Sequence, residues 1–198
     1  MDRRNLFVGA AAAALAPFAF VSSAKAQTLR QDGAKWFTNA EVKTHDGRSF
    51  RFYDDLLEGK IVMINFFFID CDAICPLTTQ NLTNVQDLLG SRIGNDIFMY
   101  SISLQPERDT PERLANYAKT YGIGPGWLLL TGKPAEIEVL RRRLGFVDPD
   151  PVLDADLEQH LGTVRIGNEP LHRWSMSPAL LNPAAIVRAV KRAIPERV

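Results

Sequence analysis

The chain holds two cysteines, Cys71 and Cys75, in the stretch "FFFIDCDAICPLTT". Three residues separate them, and Pro76 follows the second. Thiols at this spacing can close a small disulfide, exchange with a partner's disulfide, or hold a soft cation. Exchange and cation binding use the thiolate, so both need something that lowers a thiol's pKa. The start of a helix does this through N–H groups without an intrahelical acceptor and through the helix dipole. Asp70 and Asp72 flank Cys71 and act the other way, because a like charge raises a thiol's pKa while favouring a bound cation. Thiolate sulfur suits Cu(I) and Zn(II), and an added imidazole also accommodates Cu(II). Only His45, His160 and His172 are available as imidazoles. A three-ligand copper site is therefore more economical than a closed four-ligand zinc site. A small structural disulfide stays open as an alternative.

The elements that must position these thiols follow from the surrounding pattern. Residues 60–68, "KIVMINFFF", form a nearly continuous apolar run and predict a central strand buried on both faces. Pro76 suits the first turn of a helix, which places Cys75 near a helix start and Cys71 in the preceding loop. Leu77, Leu82, Val85, Leu88 and Leu89 approximate one face of that helix, and Gly90 ends it. "DIFMYSISL" and "GWLLLTG" predict two further strands. "DTPERLANYAKTYG" predicts a helix with capping-box spacing between Asp109 and Glu112, Pro111 in the first turn and Gly122 at the end. "KPAEIEVLRRRLGF" predicts another helix, with Arg141, Arg142 and Arg143 on a solvated face. An acidic loop around residues 148–156 leads to "GTVRIG" and "PLHRWSM", read as a hairpin turning at Gly167-Asn168. A helix over residues 182–194 closes the chain. Gly47 marks a turn between two short strands nearer the N-terminus. Strands alternating with helices, followed by a hairpin and a helix, predict an α/β fold with parallel and antiparallel pairing. Thioredoxin-like architecture fits this order: a central mixed β-sheet flanked by helices, with an N-terminal β extension.

The first 26 residues read as an export signal. Arg3-Arg4 precede an apolar run from Leu6 to Val21, and Ala24-Lys25-Ala26 has the small-x-small form of a cleavage site. The run is shorter than the ~20 residues of a membrane span. The arginine pair resembles a twin-arginine signal, which would place residues 27–198 as a single folded domain in a bacterial periplasm. The chain has 23 basic and 23 acidic side chains, so nothing marks a nucleic-acid surface.

Several of these features coincide in one known family. "FFFIDCDAICPLTTQNL" resembles the C-x3-C-P segment of the Sco/SenC family. "YSISLQPERDTPERLANYAKTYG" is closely similar to that family's strand, P-E-R-D-T-P-E string and helix. His160 stands where the family places a metal-binding histidine before a late strand. The resemblance implies a thioredoxin-like fold and one copper per chain, held by Cys71, Cys75 and His160. It implies a metallochaperone that delivers copper to a respiratory copper enzyme, most characteristically the dinuclear copper centre of cytochrome c oxidase. The alternative is a thiol–disulfide oxidoreductase that uses Cys71 and Cys75 as its redox-active pair. The expected partner is a copper-accepting enzyme subunit or another periplasmic copper protein. Gln159 departs from the Asp that usually precedes the family's histidine, and Asp72 stands where relatives often carry proline. A peroxidase of the same fold would need a T-x-x-C-type setting, which the flanking aspartates replace. His45 and His172 read as ordinary edge histidines, and Met63 and Met99 as core packing.

Overall fold

The computed structural model describes Gly33, residues 35–160 and residues 162–194, with His160 described through its backbone alone. The export-signal reading of residues 1–26 lies outside these residues. One seven-stranded mixed sheet organises the chain. Its strands are β1 (Glu41–Thr44), β2 (Ser49–Arg51), β3 (Ile61–Phe67), β4 (Ile97–Ser103), β5 (Trp127–Gly132), β6 (Thr163–Asn168) and β7 (Arg173–Pro178). They lie in the order β2-β1-β5-β4-β3-β6-β7. β3, β4 and β5 run parallel, and β1, β6 and β7 add antiparallel pairs. The expected N-terminal β extension is the β1–β2 hairpin, which turns through Gly47 at φ 82°. Among the described residues no helix is long and apolar enough to cross a membrane.

The helices are α1 (Ile74–Leu89), α2 (Pro111–Tyr121), α3 (Pro134–Arg143), α4 (Pro151–Ala155) and α5 (Pro183–Ala193). β3 shows why both faces of the sheet are covered. Its residues alternate, as a pleated strand requires. Met63 and Phe67 enter a core with Leu82 and Val85 of α1, Leu114 of α2 and Ile186 of α5. Val62, Ile64 and Phe66 enter a second core with Leu140 of α3 and with Phe52 and Tyr53. These last two belong to a π-helical turn, Phe52–Leu57. Between the first core and the sheet, Trp127 Nε1 donates to Ser101 Oγ at 2.9 Å, and Ser101 Oγ donates to Asn65 Oδ1 at 2.7 Å. Three adjacent strands are thus linked by one buried polar chain.

Four local expectations are corrected. Thr110, not Asp109, caps α2, its hydroxyl accepting from the Arg113 N–H. Asp109 is instead fully buried. The β6–β7 turn runs through Glu169–Leu171 and His172, so Gly167 and Asn168 are strand residues. Gly167 is there for space, since a Cβ would lie 2.1 Å from the Trp174 ring across the ladder. The acidic loop contains α4, capped by the Asp150 carboxylate. Finally, Arg141 is buried to 2% exposure rather than solvated.

Candidate metal and thiol site

β3 ends at Phe67, and the chain reaches α1 seven residues later, with both cysteines between the two or at the join. Cys75 occupies the second position of α1, and Cys71 lies in the loop before it, as the sequence predicts. Ala73 sits at the N-cap position and has no side chain able to cap. The Cys71 sulfur takes that role, accepting the Cys75 N–H at 3.4 Å. Both thiols are free and buried, at 5% and 2% exposure.

The two thiols are electrostatically unequal. Burial pushes Cys71 upward, but the Cys75 thiol and the N–H groups of Cys75, Ala73 and Ile74 all favour its thiolate. The net result is a pKa below the ordinary thiol value. Burial pushes Cys75 up to about 12, reinforced by its hydrogen bond to Cys71 and by the negative charge of Asp109. The pair is thus built as a more readily ionised thiol leaning on a retained one.

The aspartates beside Cys71 behave differently from a simple like-charge pair. Asp70 is held by Arg108 at 2.6 Å and Arg113 at 2.5 Å, so its charge is answered by two guanidinium groups. Asp72 is exposed. The helix-start effect therefore prevails at Cys71. Asp109 supports the same loop from below. Its Oδ2 accepts from the Ile69 N–H at 3.2 Å and from Ser103 Oγ at 2.6 Å. Its Oδ1 has no hydrogen-bond donor among the described residues, and Arg113 Nη1 stands 3.7 Å away. Burial raises the Asp109 pKa, and its donors and Arg113 only partly offset that. The capping-box spacing with Glu112 predicts a cap at this residue. The signal that could have found it is Arg113, four residues on, where a helix brings a cation back to it.

The histidine arrives on a separate segment. Leu157–His160 form a 3₁₀ turn after α4. Leu157 packs against the core cluster that contains both cysteines. On the other side of His160, Gly162 (φ 78°) lies so close to Ile74 that a Cβ there would be 2.8 Å from Ile74 Cδ1. Ile74 lies between the two cysteines in the chain. The turn that carries His160 is therefore preceded by a residue packed on the core cluster that includes the cysteines and followed by one seated on Ile74 of the thiol segment. Gln159, the departure from the family pattern, donates to Asp156 Oδ2 at 3.3 Å within that turn. Among the described residues, which exclude the His160 side chain, no three His, Cys, Asp or Glu groups gather closely enough to hold a metal. His45 Nδ1 accepts the Leu129 N–H at 3.1 Å, and His172 sits in the β6–β7 turn, so neither joins the thiols.

Comparison with known proteins gives a consistent picture. The SCO1/SenC family model matches residues 35–167. A SCO2-like protein of Rickettsia prowazekii is 36% identical over 87 residues, 44% of this chain. The match spans 41% of that relative's length. Among solved structures, Bradyrhizobium japonicum ScoI with copper bound shares 22% identity at a TM-score of 0.61, covering 78% of this chain and 97% of its own. BsSco, described as a member of the Sco family of cytochrome c oxidase assembly proteins, shares 25% identity at a TM-score of 0.61, covering 77% and 90%. The fold is the thioredoxin-like fold of these proteins.

Proposed function

The chain belongs to the SCO1/SenC family, and from that premise we propose that it carries one copper ion as cargo on Cys71, Cys75 and His160. The observation that carries this reading is the paired sulfur of Cys71 and Cys75 at one helix start, with the His160 turn packed against the same segment. Two thiolates suit Cu(I), and an imidazole extends the set to Cu(II). Relatives of the same fold are described with copper bound and as cytochrome c oxidase assembly proteins, which supports a copper-accepting respiratory enzyme as recipient. The dinuclear copper centre of the oxidase is the first candidate. The twin-arginine-like pattern of residues 1–26 supports export and work in a periplasm.

In this reading each residue has a separate task. Cys71 supplies the thiol that ionises more readily, since the N–H groups of the helix start and the Cys75 thiol favour its thiolate. Cys75 keeps its proton until a cation displaces it, since burial opposes an uncompensated second negative charge. Asp109 and the Arg108–Arg113 clamp on Asp70 hold the loop from which Cys71 projects. Transfer proceeds by ligand exchange with an acceptor's own thiols.

A second reading has an observation of its own. An acidic Cys71 beside a strongly basic Cys75 is the arrangement of an attacking and a resolving thiol. The Cys71 thiolate would attack a partner disulfide, and Cys75 would then displace the partner. That leaves a Cys71–Cys75 disulfide and a reduced partner. The deciding experiment mixes copper-loaded chain with the reduced, copper-free soluble domain of an oxidase subunit. Copper moving to that domain, and absent with the Cys71→Ser variant, supports delivery. No copper transfer, with reduction of the oxidised domain by the copper-free chain, replaces delivery with thiol exchange.

A further inference from the structure

We infer that the buried Arg141–Asp154 ion pair is a positioning device that sets the His160 turn over the thiols; the inference rests on the three-ligand copper reading. Arg141 lies on α3, well away from either cysteine in sequence, yet it is among the most deeply buried charged groups described. Its Nη1 and Nη2 reach the two oxygens of Asp154 at 2.8 and 3.0 Å. It also donates to both oxygens of Glu138 and, at 2.6 Å, to the Phe146 carbonyl. Asp154 in turn accepts from Arg142 at 2.9 Å and from the Asp148 N–H at 2.9 Å. The far end of α4 is therefore fastened to α3 by a planar two-pronged contact, which fixes direction as well as distance.

What Asp154 fastens is the approach to His160. Asp156 follows, and its carboxylate accepts the Glu158 N–H at 3.0 Å, opening the 3₁₀ turn. Leu157 then packs against the core cluster that includes both cysteines, and beyond His160 the chain is seated by Gly162 on Ile74. The ligand turn thus hangs between the ion pair on one side and β6 on the other. A buried ion pair is a poor source of stability compared with apolar residues of the same shape. Its distinctive product is a fixed geometry, and the geometry fixed here is that of the turn.

The test is a double-mutant cycle on the full folded chain, with Asp154→Asn and His160→Ala singly and together. A second set replaces Asp154→Asn with Asp156→Ala, an exposed residue whose loss spares the core. Cu(I) affinity is read against a chromophoric chelator, and the sulfur-to-Cu(II) band is recorded. Far-UV circular dichroism and Cys71 alkylation rate confirm the fold and the thiol pair. The expected result is a fall in affinity on the order of 10–100-fold for Asp154→Asn, with a shifted band. In the His160→Ala background, Asp154→Asn should add nothing further. An unchanged affinity in both Asp154→Asn and Asp156→Ala overturns the inference. So does an equal fall with and without His160, which would mark general loosening. If His160→Ala alone binds copper as the wild type does, the three-ligand reading fails first and the positioning role with it.

Discussion

The inequality of the two thiols makes a quantitative prediction about their chemistry. Consider alkylation of the reduced chain at pH 7 by iodoacetamide. With a pKa near 12, Cys75 is thiolate to about one part in 10⁵. A thiol with the reference pKa of 9.0 is about one per cent ionised at that pH, and Cys71 lies on the more acidic side of it. The thiolate populations thus differ by at least about a thousandfold. The more basic thiolate is intrinsically the better nucleophile, with a Brønsted slope of about 0.4–0.5, which returns a factor of roughly 20 to Cys75. Cys71 should therefore react about fiftyfold faster, and the deeper burial of Cys75 widens the gap. Timed alkylation followed by peptide mass spectrometry measures the ratio directly. Cys75→Ala adds a second arm: it removes one hydrogen bond from the Cys71 thiolate and should move the Cys71 pH–rate curve to higher pH. Cys75→Ser keeps a donor and should move it less. Equal rates, or Cys75 reacting first, would refute the helix-start account of the pair.

Further outcomes follow from other parts of the structure. Copper binding through both thiolates should release about one proton above the Cys71 pKa and about two below it, so affinity should climb with pH, as isothermal titration in buffers of different ionisation enthalpy would reveal. Asp109→Asn should be at least as stable as the wild type at pH 7. The folded-state pKa of Asp109 is raised, so the wild type loses stability relative to the Asn variant as pH rises from about 3.9 through the folded value, and urea melts at pH 3 and 7 would show the gap closing at low pH. Ser101→Ala strands both the Trp127 N–H and Asn65 and should cost about 1–3 kcal/mol in the same melts. Gly162→Ala meets a positive φ and the Ile74 side chain together, and should cost about 1–2 kcal/mol while weakening copper binding.

The site was legible in the sequence where local chemistry decides. A continuous apolar strand, two cysteines and a proline place the thiols at a strand–helix junction, and the structure puts them there. Gly167 was misread because glycine marks both turns and close approaches; only the ring of Trp174, across the ladder, distinguishes them. Three consecutive arginines look like a solvated face. The carboxylate that draws Arg141 inward, Asp154, lies on another element and has no local signature. Asp109 and Thr110 are both good caps, and the choice between them is made by Ser103 and the Ile69 N–H from the neighbouring strand ends. The opposing effects of Asp70 and the helix start likewise needed the positions of Arg108 and Arg113 before one could be seen to prevail.

The central claim is that Cys71, Cys75 and His160 act on one copper ion. Its most direct test is an anaerobic copper titration of the reduced chain and its His160→Ala variant, reading metal stoichiometry and the sulfur-to-Cu(II) absorption. One tightly held copper per chain in the wild type, weakened or spectrally altered in the variant, is the predicted result. No tight copper in the wild type, or identical binding in both proteins, would contradict the three-ligand site.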